Sequence, residues 1–322
     1  MYGWRLQRDQ KMETRQEKKR RTEPTEAQTD NACSDRSKAY KILRKDMTHH
    51  GFVYTEGLNV LKEPFFADGF CEGGGLYYTN LKNIARFISY GDLIAEVTLP
   101  PEARIYPEPC GVKWKTDRLI LSNIQPLEDF PFWSDPEFCL GAVKQHWAAL
   151  RYVKNQTDEV CLSAVQCNSV CLSYVKNQTD EICIAAIRCN PSSLRYVKNQ
   201  TPELCMKAVQ SRGMALEFVK EQTLELCMAA VQNCGFALEF VKDQTPELCR
   251  AAIVNEPKAL EYVKDKTDEL CMVAVSLYGG ALEFVQQQTE ALCLAAVKQD
   301  RSAIQYVHNK TPDIVVASKW EI

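Results

Sequence analysis

The sequence predicts an α-helical solenoid of about eight 22-residue αα-hairpin repeats, preceded by a small α/β (α+β) domain. Three observations predict it. First, Tyr-Val-Lys-Asn-Gln-Thr begins at Tyr152, Tyr174 and Tyr196, and variants begin at Phe218, Phe240, Tyr262, Phe284 and Tyr306, each 22 residues after the last. A constant period without slippage marks a stacked repeat array. Second, helix breakers stand at the middle of the units, at Pro191, Gly213, Gly235, Pro257 and Gly279-Gly280. Third, the ends drift from the consensus, as caps do where one face meets water. Asp135 holds the Thr position of the first unit; in the last, Val315 replaces the repeat Cys and Lys319 falls where a core Val belongs.

Residues 1–38 read as a disordered polar leader, rich in Lys, Arg, Glu, Gln and Thr. Lys18-Lys19-Arg20-Arg21 is a basic run that reads either as a solvated tail or as a nuclear address, and Met12 is a second candidate start. Residues 39–133 read as a compact α/β head. Strands are expected at 39–43, 51–54, 76–79, 93–99, 104–106, 112–114 and 118–122, with a helix capped by Asn80 running to Tyr90. Gly73-Gly74-Gly75 precedes a strand rather than a helix, so it reads as a tight turn and not as a phosphate cradle. His49-His50 reads as an exposed loop pair. Pro126, Pro131 and Trp133 mark the junction with the array, residues 134–322.

One unit shows why the array is helical. Thr201 is a good N-cap, Pro202 suits the first helical position and Glu203 complements the positive end of the helix dipole. Leu204 and Ala208 share a face with Cys205 and Val209 at helical spacing. After Gly213 a second short helix carries Ala215, Leu216, Phe218 and Val219, with Lys220 near its negative end. A single unit cannot bury its own apolar face, so stacking must complete the core.

Composition excludes several functions. A net charge of −3 argues against a surface devoted to nucleic acid, and no apolar run approaches a bilayer span of ~20 residues. No secretory h-region is visible at the N-terminus. Eight of the fifteen cysteines sit on the repeat lattice, from Cys139 to Cys293. Equivalent positions in stacked helices lie roughly 9 Å apart, too far for a disulfide, so these thiols read as small buried apolar groups in a reducing compartment. Cys161, Cys167, Cys171 and Cys189 lack a C-x2-C knuckle, and no metal or cofactor is called for.

The lattice also aligns polar residues. Lys154 to Lys264 form one row and Glu159 to Glu269 another, each at the helix end whose dipole favours it. The residue after each lattice Cys is large and apolar, at Leu140, Leu162, Ile184, Met206, Met228, Met272 and Leu294, except for Arg250. Because a buried site rarely admits an unpaired Arg, this row reads as a half-exposed groove suited to an adaptable partner contact.

The phrase A-L-E-F-V-K-x-Q-T-x-E-L-C-x-x-A-V resembles the short helical repeats of unknown function found in mimivirus-like giant DNA viruses. Tyr40–Leu43, Asp46–Phe52, Gly74–Thr79 and Lys113–Asp117 are similar to the N-terminal region of uncharacterised proteins of the same viruses. The resemblance implies a viral protein made in an amoebal host, acting in the host cytoplasm, with the nucleus and the virion as further locations. His50-Gly51, then Tyr77-Tyr78 and a late Asp117, also resemble the ADP-ribosyltransferase pattern, in which a His and a Tyr hold the nucleotide and a Glu activates the ribose. That resemblance implies His50, Tyr78 and Asp117 as catalytic candidates, with Asp117 one methylene short. The expected function is a non-enzymatic scaffold that binds a protein through the array. The alternative is an ADP-ribosyltransferase-like head to which the repeats recruit substrate.

Overall fold

The computed structural model describes residues 38–66 and 74–319. The leader with its basic run, Gly73, and the last three residues lie outside the described residues. The chain packs into two compact units: residues 48–81 and 95–124 with the start of β1 form one, and residues 42–47, 82–94 and 125 onward form the other.

Most residues of the first unit's strands belong to a sheet of seven strands in the order β4-β9-β6-β1-β5-β8-β7. They are β1 (Ala39–Leu43), β4 (Gly57–Val60), β5 (Leu76–Asn80), β6 (Leu93–Thr98), β7 (Ile105–Pro107), β8 (Trp114–Thr116) and β9 (Arg118–Pro126). Strand β5 pairs antiparallel with β8, placing Tyr77 opposite Lys115 and Tyr78 opposite Trp114. Tyr40, Leu43, Leu76, Ile94, Leu119 and Leu121 are all but sealed from solvent. Strand β4 pairs with β9 through Leu58 and Ile120 and is an addition to the expected strands. Its Asn59 is buried, and its side chain bonds the Thr55 amide and the Thr55 and Gly57 carbonyls. That pinned polar side chain is why the segment lacks a plain alternating pattern.

The His pair is not in a plain loop. β2 (Thr48–His49) and β3 (Phe52–Val53) form a two-residue hairpin, with His49 opposite Phe52. His50 and Gly51 at its tip have φ of 49° and 79°. Two positive φ values in succession are the type I′ signature, and Gly51 supplies the half that costs nothing. The helix expected from Asn80 is a ten-residue 3-10 helix, Leu81–Tyr90, which buries Ile84 and Ile88.

The second unit carries the repeats. Its α-helices are α1 (Pro136–Gln145), α2 (Asp158–Cys167), α3 (Asp180–Cys189), α4 (Pro202–Ser211), α5 (Leu224–Asn233), α6 (Pro246–Asn255), α7 (Asp268–Leu277), α8 (Glu290–Gln299) and α9 (Pro312–Lys319). Lattice Thr hydroxyls cap α2 to α8, and the Asp135 carboxylate caps α1; Thr201 Oγ1, for example, accepts the Leu204 amide at 3.3 Å. The second element of each unit is a short 3-10 helix, such as Gly213–Phe218, rather than a second α-helix. The cause is length: six residues between a breaker and a loop leave room for i→i+3 bonds and little else. From α2 to α8 the core repeats as Leu, Val or Ile, then Cys, Ala and Val or Ile of each α-helix, all buried, and it is sealed by 3-10 residues such as Ala215 and Leu216. Gly213, Gly235 and Gly279 each face the backbone carbonyl of an alanine one unit on (Ala230, Ala252, Ala296), where a Cβ would collide.

Units are stitched by side chains that the charge-row reading did not anticipate. Gln200 Nε2 donates to Leu194 O at 3.1 Å in its own unit and to Phe218 O at 2.8 Å in the next. Its Oε1 accepts the Lys220 amide at 2.9 Å and lies 3.7 Å from Cys205 Sγ. Lys220 Nζ in turn donates back to Val197 O at 3.3 Å and Lys198 O at 2.8 Å. The Lys row is therefore a ladder of cations capping the carbonyls of the preceding unit, because a 22-residue step brings each Lys beside the loop before it. The lattice Cys is small and buried, and at Cys161, Cys205, Cys227, Cys249 and Cys293 it is also a weak donor to the Gln clasp.

Candidate functional site

The catalytic candidates of the head fall in different surroundings. The His50 ring lies 6.1 Å from the ring of Tyr77. Tyr78, its neighbour along β5, is buried and stacks on Trp114 at 5.9 Å. Asp117 is 5% exposed, accepts the Arg104 amide at 2.9 Å and pairs with Arg104 Nε at 3.0 Å and Arg118 at 3.4 Å. Burial pulls its pKa up, but the Arg104 bonds and the two guanidinium charges outweigh that and hold it below the usual carboxylate range. Around Tyr77 gather His49 at 6.1 Å, Lys113 Nζ at 4.5 Å and Lys115 Nζ at 5.4 Å from the ring. Lys41 is buried, donates to Tyr77 O at 2.8 Å and lies 4.4 Å from the ring of Tyr54. Burial, reinforced by the Lys113 charge, lowers its pKa to about 7. The Asp and one Tyr of the sequence pattern are thus engaged structurally, while the other Tyr and the His pair sit with lysines.

The array presents the larger candidate surface. Leu162, Ile184, Met206, Met228, Met272 and Leu294 are half-buried on successive helices, and Arg250 stands exposed among them. Arg250 Nη1 reaches the Glu269 carboxylate one unit on at 2.9 Å. Beside the row, Leu224 is 61% exposed and Val254 is 58% exposed. Met206, Leu224, Met228 and Gln232 line an open depression of about 570 Å³. A second, of about 470 Å³, is lined by Gln232, Glu247, Arg250 and Val254. Sequence reasoning missed Leu224 and Val254. The signal was available: Leu224 stands where neighbouring units carry Asp180 and Pro202, and Val254 where they carry Gln210 and Gln232. Apolar residues at a lattice position that is otherwise polar or Pro are unforced by the core.

Acidic side chains rim this strip. Glu159, Glu181, Glu203, Glu225, Glu247 and Glu269 are all exposed in the first turns of their helices. Glu203 pairs with Lys207 at 3.4 Å and Glu269 with Arg250. The Lys row does not neutralise the rim locally, since its ammonium groups are turned into backbone carbonyls such as Lys176 O and Lys198 O. No helix among the described residues is long and apolar enough to cross a membrane.

Residues 201–244, two successive units, match a family described as a domain of unknown function, DUF4116. Among curated proteins, L100 of Acanthamoeba polyphaga mimivirus, described as an ankyrin repeat protein, is 35% identical over 97 residues, 28% of this chain and 16% of its own length. R868 of the same virus, described likewise, is 34% identical over 99 residues, 29% of this chain and 49% of its own. The chain thus spans less than half the length of these relatives. An ankyrin unit has about 33 residues, whereas the unit here has 22 and pairs an α-helix with a 3-10 helix. No solved structure matches. The mimivirus protein R869, described as uncharacterised, is 40% identical over 99 residues, 29% of this chain and 71% of its own length. On that match, carried by a share of the relative above two thirds, the chain belongs to the family of the mimivirus protein R869.

Proposed function

We propose that this is a non-enzymatic interaction scaffold of a giant virus, acting in the host cytoplasm and holding a protein partner on the outer strip of its repeat helices. The observation that carries the reading is the strip itself: Leu224 and Val254 lie open beside half-buried Met206 and Met228, over shallow depressions rather than an enclosed cavity. Methionine adapts to irregular apolar partners, and exposed apolar surface that no core requires marks contact sites. The glutamate rim adds sign. A partner segment that carries Lys or Arg beside its apolar residues would meet Glu225 and Glu247 as it seats.

The test is capture from infected-amoeba lysate by the full chain and by a Met206→Glu/Met228→Glu variant, both positions being half-buried at the helix surface. The variant is expected to keep its helical circular dichroism and to lose a specifically retained protein. Identical retention by a folded variant would overturn the reading. Arg250→Met should leave the melting temperature unchanged or raised while altering capture.

The alternative, ADP-ribosyl transfer in the head, draws support from the closeness of His50 to Tyr77. It asks for an available carboxylate, and both oxygens of Asp117 are already bonded to Arg104. Turnover of NAD by the full chain, abolished in His50→Ala, would favour it.

A further inference from the structure

We infer that the repeat array is articulated at one junction, between the unit of α6 and the unit of α7, so that it works as two blocks rather than one rod. Three kinds of clasp cross the junctions between units, and this junction lacks all three. The first is the Gln clasp. Gln156, Gln178, Gln200, Gln222, Gln244 and Gln288 each bond the 3-10 carbonyl and a loop amide of the following unit. At the corresponding position stands Lys266, which donates instead to Glu261 O at 3.2 Å and Val263 O at 2.8 Å, inside its own unit.

The second clasp is the Lys ladder. Lys264 Nζ, for instance, reaches Lys242 O at 2.6 Å. Twenty-two residues on, the ladder position is Gln286, for which no such bond is found among the described residues. The third clasp closes the helix ends. Asn233 bonds Gln210 O and the Gly213 amide, Asn255 bonds Val231 O and Gln232 O, and Gln299 bonds Leu277 O and the Gly279 amide. At the junction in question this position is Leu277, 48% exposed.

Other junctions between complete units lose one clasp and keep another; before α9 the Gln position is again a lysine, Lys310, and no second element follows α9 among the described residues. The helix-end residues Cys167, Cys189 and Ser211 make no such bridge among the described residues, but Gln156, Gln178 and Gln200 clasp there, with Lys176, Lys198 and Lys220. His308 replaces the ladder Lys, but Gln288 and Gln299 remain. Among the junctions between complete described units, only that between α6 and α7 combines the three replacements Lys266, Gln286 and Leu277. What crosses instead is exposed: the Arg250–Glu269 ion pair at 2.9 Å and Lys258 Nζ over the Tyr278 ring at 5.3 Å. The buried core runs on through Leu260 and Leu282, both 0% exposed. The junction is therefore a hinge in a continuous core and not a domain boundary.

Each missing clasp removes hydrogen bonds that hold one unit against the next, and an ion pair between exposed groups replaces them only weakly. Motion of lower free energy then concentrates at the junction where all three clasps are missing together. The depressions around Met206 and Arg250 lie on one block; Met272 and Leu294 lie on the other. A partner touching both would fix the angle between them.

The experiment is amide hydrogen exchange of the full chain, read by mass spectrometry. Amides of α7 are expected to exchange roughly tenfold or more faster than their lattice equivalents in α5, a factor that corresponds to about 1.4 kcal/mol and that the missing clasp hydrogen bonds can supply. Raising salt to about 1 M should speed α7 further, because the surviving ion pair is screened. The Lys266→Gln/Gln286→Lys variant rebuilds two clasps and should slow α7 to the α5 rate and remove the salt effect. Leu277→Asn, at an exposed helix end, tests the third clasp should the double variant fail to fold. Equal exchange of α5 and α7 in the natural chain, or no slowing in either folded variant, would overturn the hinge. Loss of partner capture bears on the scaffold reading and leaves this result untouched.

Discussion

At the residue scale, burial gives the lattice thiols and Lys41 measurable chemistry. The lattice thiols are buried, and burial pushes Cys139 and Cys161 up to about 11; off the lattice, burial pushes Cys171 in the 3-10 helix Ser169–Tyr174 up to about 12. The thiolate is the nucleophile, so native alkylation by iodoacetamide is expected at exposed Cys110, Cys167 and Cys189 while Cys161, Cys205 and Cys249 stay unmodified until the chain unfolds. Rapid labelling of a lattice cysteine would mean that the core opens locally. Lys41 gives a pH signature. Its folded pKa, about 7, lies below its ordinary value of 10.5 because of burial and the Lys113 charge. Between those two values the unfolded chain holds a proton that the folded chain has released. Stability therefore rises with pH from about 7 to about 10.5, with a ceiling of about 1.4 kcal/mol per pH unit. Lys41→Met should flatten that slope in melting temperatures taken across the window; an unchanged slope would assign the pH dependence to other groups.

At the element scale, the unit is defined as much by its Gln as by its apolar face. Gln200→Leu deletes bonds to Leu194 O, Phe218 O and the Lys220 amide. Leaving such backbone groups unmet costs about 1–3 kcal/mol, so the variant should melt several degrees lower, whereas Asn199→Ala next door, at an exposed side chain, should not. Much of this architecture was legible in the chain. Period, N-cap Thr, breaker Gly and Pro, and the buried Cys-Ala-Val face are local signals, and they locate each helix. The Gln and Lys clasps were not legible, because their partners are carbonyls and amides of another unit, and backbone groups leave no mark on a sequence. In the head, Leu76–Asn80 and Leu93–Thr98 followed the apolar pattern, whereas Gly57–Val60 did not, since Asn59 is held by neighbouring backbone. Of the candidate surface, the Met row was visible as a repeat position; Leu224 and Val254 were visible only as departures from one.

At the scale of the whole molecule, a stacked array owes its cooperativity to the interfaces between units, because no unit is stable alone. Uncoupling should therefore occur where an interface is weakest and not where a unit is weakest. Leu216 and Leu282 occupy equivalent lattice positions, and each is 0% exposed. Truncation of either to Ala leaves a cavity and costs about 2–5 kcal/mol. The consequences should nevertheless differ. Leu216 belongs to a unit that the Gln222, Lys242 and Asn233 clasps tie to its neighbours. Its loss is shared along the ladder, so Leu216→Ala should lower the urea midpoint while retaining one transition with the parent slope. Leu282 lies just beyond the junction of Lys266, Gln286 and Leu277, where few bonds transmit the loss backwards. Leu282→Ala should therefore split the transition, with the C-terminal units unfolding first and the slope of each phase falling with the smaller surface it exposes. A single unaltered transition in both variants would place the cooperativity of the array in its continuous apolar core, and the clasps would then set only its shape.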